Sequence, residues 1–133
     1  MLNEIRVQGF APRVNQWLDI KADVEIKIIT GVYEVGKPIP SINEMAVIYD
    51  VGTTTTQKVL SALRDDKVLE FRRGGNYIVR PYVKESLAAQ HLEELKNRLI
   101  AVAKYGERLG YDVDKLIELM NAVCRTHGDD NLK

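Results

Sequence analysis

The sequence predicts a mainly α-helical chain with one small β-hairpin, arranged as a compact N-terminal domain followed by a two-helix extension. Three observations predict it. Apolar residues recur at three- and four-residue steps over five separate stretches, which is helical periodicity. A single stretch, Val68 to Val79, instead carries short strand-like runs on either side of a Gly-Gly turn. The third is size: 133 residues, 45% of them hydrophobic, can bury one core and suit a single domain or a small domain with an appendage.

Composition also excludes. No apolar run approaches a membrane span, and the N-terminus lacks a signal peptide's basic-then-apolar order. The lone Cys124 rules out an intramolecular disulfide and fits a reducing, cytoplasmic setting. The formal net charge is zero, but it is unevenly spread. Residues 53–84 hold seven Lys/Arg against three Asp/Glu, whereas 1–52 hold five against seven and 85–133 hold seven against nine. The excess of positive charge is a modest footprint for a polyanion.

Residues 1–13 lack a helical period and read as an N-terminal arm. From about Val14, Trp17, Ile20, Val24 and Ile28 form a helical stripe, with Asp19, Asp23 and Lys27 on the other side and Gly31 as the stop. Trp17 reads as a core anchor. Val32 to Ile39 is a short extended connector. Ser41 and Glu44 then form a capping box that opens a short helix, whose apolar face is Met45, Ala46 and Ile48.

Tyr49-Asp50-Val51-Gly52 is a turn, and a second helix opens at Thr53. Thr56, Val59, Leu60 and Leu63 share its inner face, while Thr54, Gln57, Lys58 and Ser61 face outward, with Thr53 and Thr55 near the tip. Helix, tight turn and helix with a small polar face make a helix-turn-helix. Four consecutive β-branched residues start a helix poorly, at roughly half a kcal/mol each against alanine. They do place hydroxyls and methyls at a helix N-terminus, which suits phosphates and base edges. The ordinary reading is a solvated helix end.

Val68 to Phe71 and Tyr77 to Val79 are strands around Arg72-Arg73-Gly74-Gly75-Asn76. A hairpin directly after the second helix is a wing, and its arginines suit phosphates or a minor groove. A long helical pattern then runs from Val83 to Glu107, weakened by Gly106 and Gly110. Its residues Ala88, Leu92, Leu95, Leu99 and Val102 follow a heptad seam. A last helix, from about Val113, carries Leu116, Ile117, Met120 and Val123 on one face and fades by Gly128. The seam needs a partner, and a homodimer through these helices is the economical one; the alternative is that the two C-terminal helices fold back on their own wing. The boundaries expected are 1–82 for the winged domain, 83–128 for the dimerisation region and 129–133 for a loose tail.

Ile28 to Val79 resembles the DNA-binding domain of GntR-type winged helix-turn-helix regulators. That family shares I-x-x-G-x-y-x-x-G, L-P-S-x-R-E-L-A, V-s-r-x-T-V-x-x-A-L and a G-x-G wing. These correspond here to IITGVYEVG, IPSINEMA, VGTTTTQKVL and Gly74-Gly75-Asn76. The two-helix tail of about fifty residues resembles the short YtrA-like branch, whose members dimerise through the tail and are typically repressors, often of transporter operons. The resemblance implies double-stranded DNA as partner and contacts through Ser41, Asn43, Thr53, Thr54, Thr55, Gln57, Lys58, Arg72, Arg73, Gly74 and Gly75. It places dimerisation on Leu92, Leu95, Leu99, Val102, Leu116 and Met120. Asn43 stands where the family has arginine, Gly52 where it has serine or asparagine, and Thr53 where it has arginine or proline. The expectation is altered operator chemistry with DNA binding retained. Gln57 could pair bidentately with adenine.

No enzymatic constellation is visible, and no cofactor or metal is expected. Cys124 and His127 stand at i and i+3, so a metal-responsive regulator is one alternative, with His91 or an acidic residue completing the site. A winged-helix assembly module without DNA contact is another. RNA binding would bring exposed aromatics on a sheet, and only Tyr77 and Tyr82 are near. A small effector could sit between the tail helices, but no residue names one.

Overall fold

The computed structural model describes residues 16–131, with side chains described through Thr126. The arm expected over 1–13 therefore lies outside the described residues, as do 132–133 of the expected tail. In chain order the elements are α1 (Gln16–Ile29), α2 (Ile42–Tyr49), α3 (Thr53–Asp65), β1 (Leu69–Arg72), β2 (Asn76–Val79), α4 (Val83–Arg108) and α5 (Val113–Asn131). The fold is mainly α with a small β wing. Among the described residues, no helix is long and apolar enough to cross a membrane.

One closed core organises residues 16–89. Ile20, Val24 and Ile28 of α1 meet Met45 of α2, Val59, Leu60 and Leu63 of α3, and Leu69, Tyr77 and Val79 of the hairpin. Side chains of this size each contribute about 1.5–3 kcal/mol on full burial, which is why the three helices and the hairpin close on one another. Val83 and Leu87, the first turns of α4, belong to this same core. The division into two compact units accordingly falls between Ala89 and Gln90, later than residue 82.

β1 and β2 pair antiparallel in the register Leu69↔Val79 and Arg72↔Asn76, leaving a three-residue tip, Arg73–Gly75. Gly74 and Gly75 have φ of 101° and 91°, a conformation that glycine adopts without steric cost. The connector before α2 does more than cross over. Gly36 N–H donates to Val79 O at 2.8 Å and Ile39 N–H to Tyr77 O at 3.0 Å, so this segment lies along the free edge of β2. That pairing covers an edge that would otherwise be open.

The second unit, from Gln90 on, contains most of α4 and all of α5. Gly106 is buried against Leu116, and a Cβ there would come within 2.7 Å of the leucine Cδ2. The glycine expected to weaken α4 thus lets α5 approach it. Asp112 caps α5, its Oδ1 accepting from Lys115 N–H at 3.0 Å. The last helix continues past Gly128 to Asn131, because each residue added to an existing helix gains a hydrogen bond. Much of this unit's apolar surface stays open: Leu92, Leu95, Leu99, Val102, Ile117, Met120 and Val123 are all about half exposed.

Candidate nucleic-acid interface

The helix-turn-helix is built from its caps inward. Ser41 Oγ accepts from Glu44 N–H at 3.1 Å, and Glu44 Oε1 accepts from Ser41 N–H at 2.9 Å, closing the expected capping box. The Ser41 hydroxyl still has its own O–H to donate. Asn43, the second residue of α2, is exposed. Met45 is the buried side chain of this helix, with Ile42, Ala46 and Tyr49 partly covered. Ile48, expected on the apolar face, is about half exposed instead. The inward line follows Met45 to Tyr49 at a four-residue step, and position 48 lies a third of a turn away from its centre. Asp50 then caps α2 in the left-handed conformation, with φ 54°, and turns the chain toward α3.

α3 divides the four threonines. Thr56 is fully buried, its hydroxyl donating to Ile42 O at 2.9 Å with Thr53 O a second acceptor at 3.1 Å. This bond ties the second helix to the start of the first. Thr53 and Thr54 are exposed, Thr55 is partly covered, and Gln57 and Lys58 face outward. None of the Thr53, Thr54, Thr55 or Gln57 side chains hydrogen-bonds within the described residues. Gly52 supplies no side-chain cap to α3, and the helix has no acidic residue in its first turn, unlike α1 and α2. Thr55 N–H donates to Gly52 O at 3.1 Å, so the N–H groups of Thr53 and Thr54, with the positive dipole end, are the ones left for an anion.

The Lys58 ammonium lies 4.6 Å from the centroid of the Trp17 ring. Trp17 is partly buried and packs against the core, as its anchor reading implies. On the wing the two arginines differ. Arg72 Nε donates to Glu70 Oε2 at 3.0 Å, while Arg73 at the tip has no ion-pair partner among the described residues.

One positioning cluster was not legible in the sequence. Asp23 and Lys27, expected to face solvent, are partly covered and converge on Tyr49. Tyr49 Oη donates to Asp23 Oδ2 at 2.5 Å, and Lys27 Nζ reaches Asp23 at 3.2 Å and Tyr49 Oη at 3.2 Å. Burial, then the hydrogen bond to Asp23, pushes the Tyr49 hydroxyl far above the usual phenol range. The cluster pins the end of α2, and so the turn, to α1. Elsewhere on α1, Lys21 bridges Glu25 and Asp66, each at 3.0 Å. Burial opposes its charge, but those two carboxylates outweigh it and hold its pKa above the usual lysine value.

The heptad residues Leu92, Leu95, Leu99 and Val102 are exposed on α4, and Met120 is exposed on α5, whereas Leu116 packs against Gly106 of its own chain. A cavity of about 320 Å³ lies between these helices, lined by Ile100, Lys104, Glu107, Tyr111 and Leu116 among others. Cys124 is exposed, and the His127 side chain lies outside the described residues. Among the described residues, no group of three or more His, Cys, Asp or Glu could hold a metal.

Residues 17–79 match the family described as "Bacterial regulatory proteins, gntR family". No curated protein matches the chain. Among solved structures, a GntR family transcriptional regulator from Listeria monocytogenes is similar at 24% identity and TM-score 0.70, over 85% of this chain and 98% of that one. A transcriptional regulator from Oenococcus oeni is similar at 17% identity and TM-score 0.68, over 85% and 93%. S. agalactiae BusR, solved in complex with its busA-promotor DNA, is similar at 24% identity and TM-score 0.54, over 85% of this chain and 55% of that one.

Proposed function

Residues 17–79 form a GntR-family domain, the module of a family of bacterial regulatory proteins, and on that premise we propose that the chain is a sequence-specific, DNA-binding transcriptional repressor acting as a homodimer. The observation that carries this reading is the outward face of α3. Thr53, Thr54, Gln57 and Lys58 are exposed there, beside a helix N-terminus with neither a side-chain cap nor an acidic residue. Hydroxyl, amide and ammonium groups on a helix of this kind suit base edges and phosphates in a major groove. Arg73 at the wing tip suits an adjacent phosphate or minor groove, with Gly74 and Gly75 allowing close approach. BusR, similar in fold, was solved with promoter DNA, which supports the same partner here.

The half-exposed seam on α4 supports a second copy as the partner of residues 83–128. A stripe of this kind is costly to leave in water and is the usual geometry of helix pairing. A two-fold dimer reads an inverted repeat with half-sites related by the same axis. The two-helix tail also fits the short, repressor-rich branch of the family.

Selection from random-sequence DNA followed by fluorescence anisotropy across salt concentrations tests the proposal. Enrichment of an inverted repeat, bound with an affinity that falls steeply as salt rises, is the expected result. No enrichment at any salt would leave a winged-helix assembly module in its place. Gln57→Ala should relax preference at one base pair of the enriched site, by about 1–3 kcal/mol.

A further inference from the structure

We propose that Trp17 is a positioning residue for DNA binding, a π-face seat that holds the Lys58 ammonium at the surface of α3 ready for a phosphate. The inference rests on the DNA-binding reading above and adds a residue from α1 to that interface.

The geometry carries it. Lys58 Nζ lies 4.6 Å from the ring centroid, within the range of about 6 Å over which a cation is attracted to an aromatic face. The ring is held in turn, because Trp17 packs against the core cluster. The other anchored cations of this unit each pair with a carboxylate, even Lys27, whose ammonium also lies 5.0 Å from the Tyr49 ring centroid. Lys21 sits on Glu25 and Asp66, Lys27 on Asp23, and Arg72 on Glu70. A carboxylate restrains a cation but cancels the charge it offers to a polyanion. Lys58 has no carboxylate partner among the described residues, so the indole restrains it and leaves its full positive charge outward. An ammonium has three N–H donors, and with one side against the ring the others remain for phosphate oxygens. The long, flexible side chain is then ordered before DNA arrives, and ordering already done is not lost on binding.

The test is a double-mutant cycle on the full chain, using a labelled random-sequence duplex at low salt so that phosphate contacts dominate. Trp17→Leu keeps apolar bulk against the core and removes the ring face, and Trp17→Phe keeps a weaker face. Trp17→Leu should weaken binding about two- to fivefold in the wild-type background, Trp17→Phe less, and neither should alter the slope of affinity against salt. Lys58→Ala should lower that slope by about one. In the Lys58→Ala background, Trp17→Leu should have almost no effect. An equal loss in both backgrounds would mean that Trp17 acts only through folding, and would overturn the proposal.

The chain has a single tryptophan, so indole emission excited at the red edge, where tyrosine does not absorb, comes from Trp17 alone and responds to what lies over its ring. In the DNA-free protein, Lys58→Ala should change that emission, and an unchanged spectrum would overturn the contact itself. If the wild-type chain binds no duplex, the DNA reading fails and this proposal with it. A Lys58-dependent emission alongside that result would locate the failure in the function rather than in the contact.

Discussion

The two units of this chain use the same material differently. Within residues 16–89, apolar residues of α1 to α3, the hairpin and the first turns of α4 close on each other, so that Ile20, Val24, Val59, Leu60, Leu63 and Val79 are all 0% exposed. Beyond them, α4 and α5 carry as regular an apolar stripe, yet Leu95 remains 53% exposed and Val123 54%. Periodicity is alike in both. What differs is the number of elements available to cover it: a core needs packing from several directions, and two helices cover only one stripe each. The first unit is complete as a single chain. The second presents a surface suited to another copy.

The comparison can be broken at its strongest point first. Leu60→Ala opens a cavity where the side chain is fully buried and should cost about 2–5 kcal/mol in denaturant unfolding of the first unit. The proposed dimer contacts of α4 should be unaffected. Next, Leu95→Asp should leave the winged unit folded while converting the proposed dimer to monomer in sedimentation, with operator affinity falling on the order of 100-fold as the second half-site is lost. A dimer persisting in that variant would remove the seam from the interface.

Gly106→Ala probes the second unit from inside. The added methyl would meet Leu116 Cδ2 at 2.7 Å, so the helix pair should lose about 1–3 kcal/mol, read as a lower melting temperature. Alanine's better helix propensity offsets less than about 1 kcal/mol of that.

The smallest effect sharpens the picture of the first unit at high pH. Tyr33, Tyr49 and Lys21 all have raised pKa values in the fold. A raised folded pKa contributes stability that is complete below the unfolded value and is lost as pH climbs toward the folded one. Stability should therefore decline from the ordinary tyrosine value of 10.0 upward. Tyr49→Phe should cost about 1 kcal/mol at neutral pH, through the lost hydrogen bond to Asp23, and make the alkaline decline shallower. An unaltered alkaline profile would place the pH sensitivity elsewhere.

Legibility in the sequence tracked how local each interaction is. The capping box of Ser41 and Glu44 spans three residues and could be read directly. So could the split of α3 into an inner face of Thr56, Val59, Leu60 and Leu63 and an outer face of Thr54, Gln57 and Lys58, because a helix repeats every 3.6 residues. The Gly-Gly hairpin was equally plain. Ile48 misled because a helix of eight residues offers two rival apolar lines, and only its neighbours select one. Asp23 and Lys27 misled because charged residues on an α1 face opposite the core ordinarily meet water.

The sequence by itself determined where the helices and the hairpin lie, which face of each longer helix is apolar, and which polar groups the second helix of the pair presents. Those properties follow from residue spacing within one element. Tertiary structure alone decided that Thr56 donates to Ile42 O, that Tyr49 is held by Asp23 and Lys27, and that the connector lies along β2. It also decided that Gly106 admits Leu116 and that Lys58 rests over Trp17. Most of these pairs come from different elements, and which side chains meet there is set by how those elements pack, a property that no periodicity within a single element encodes.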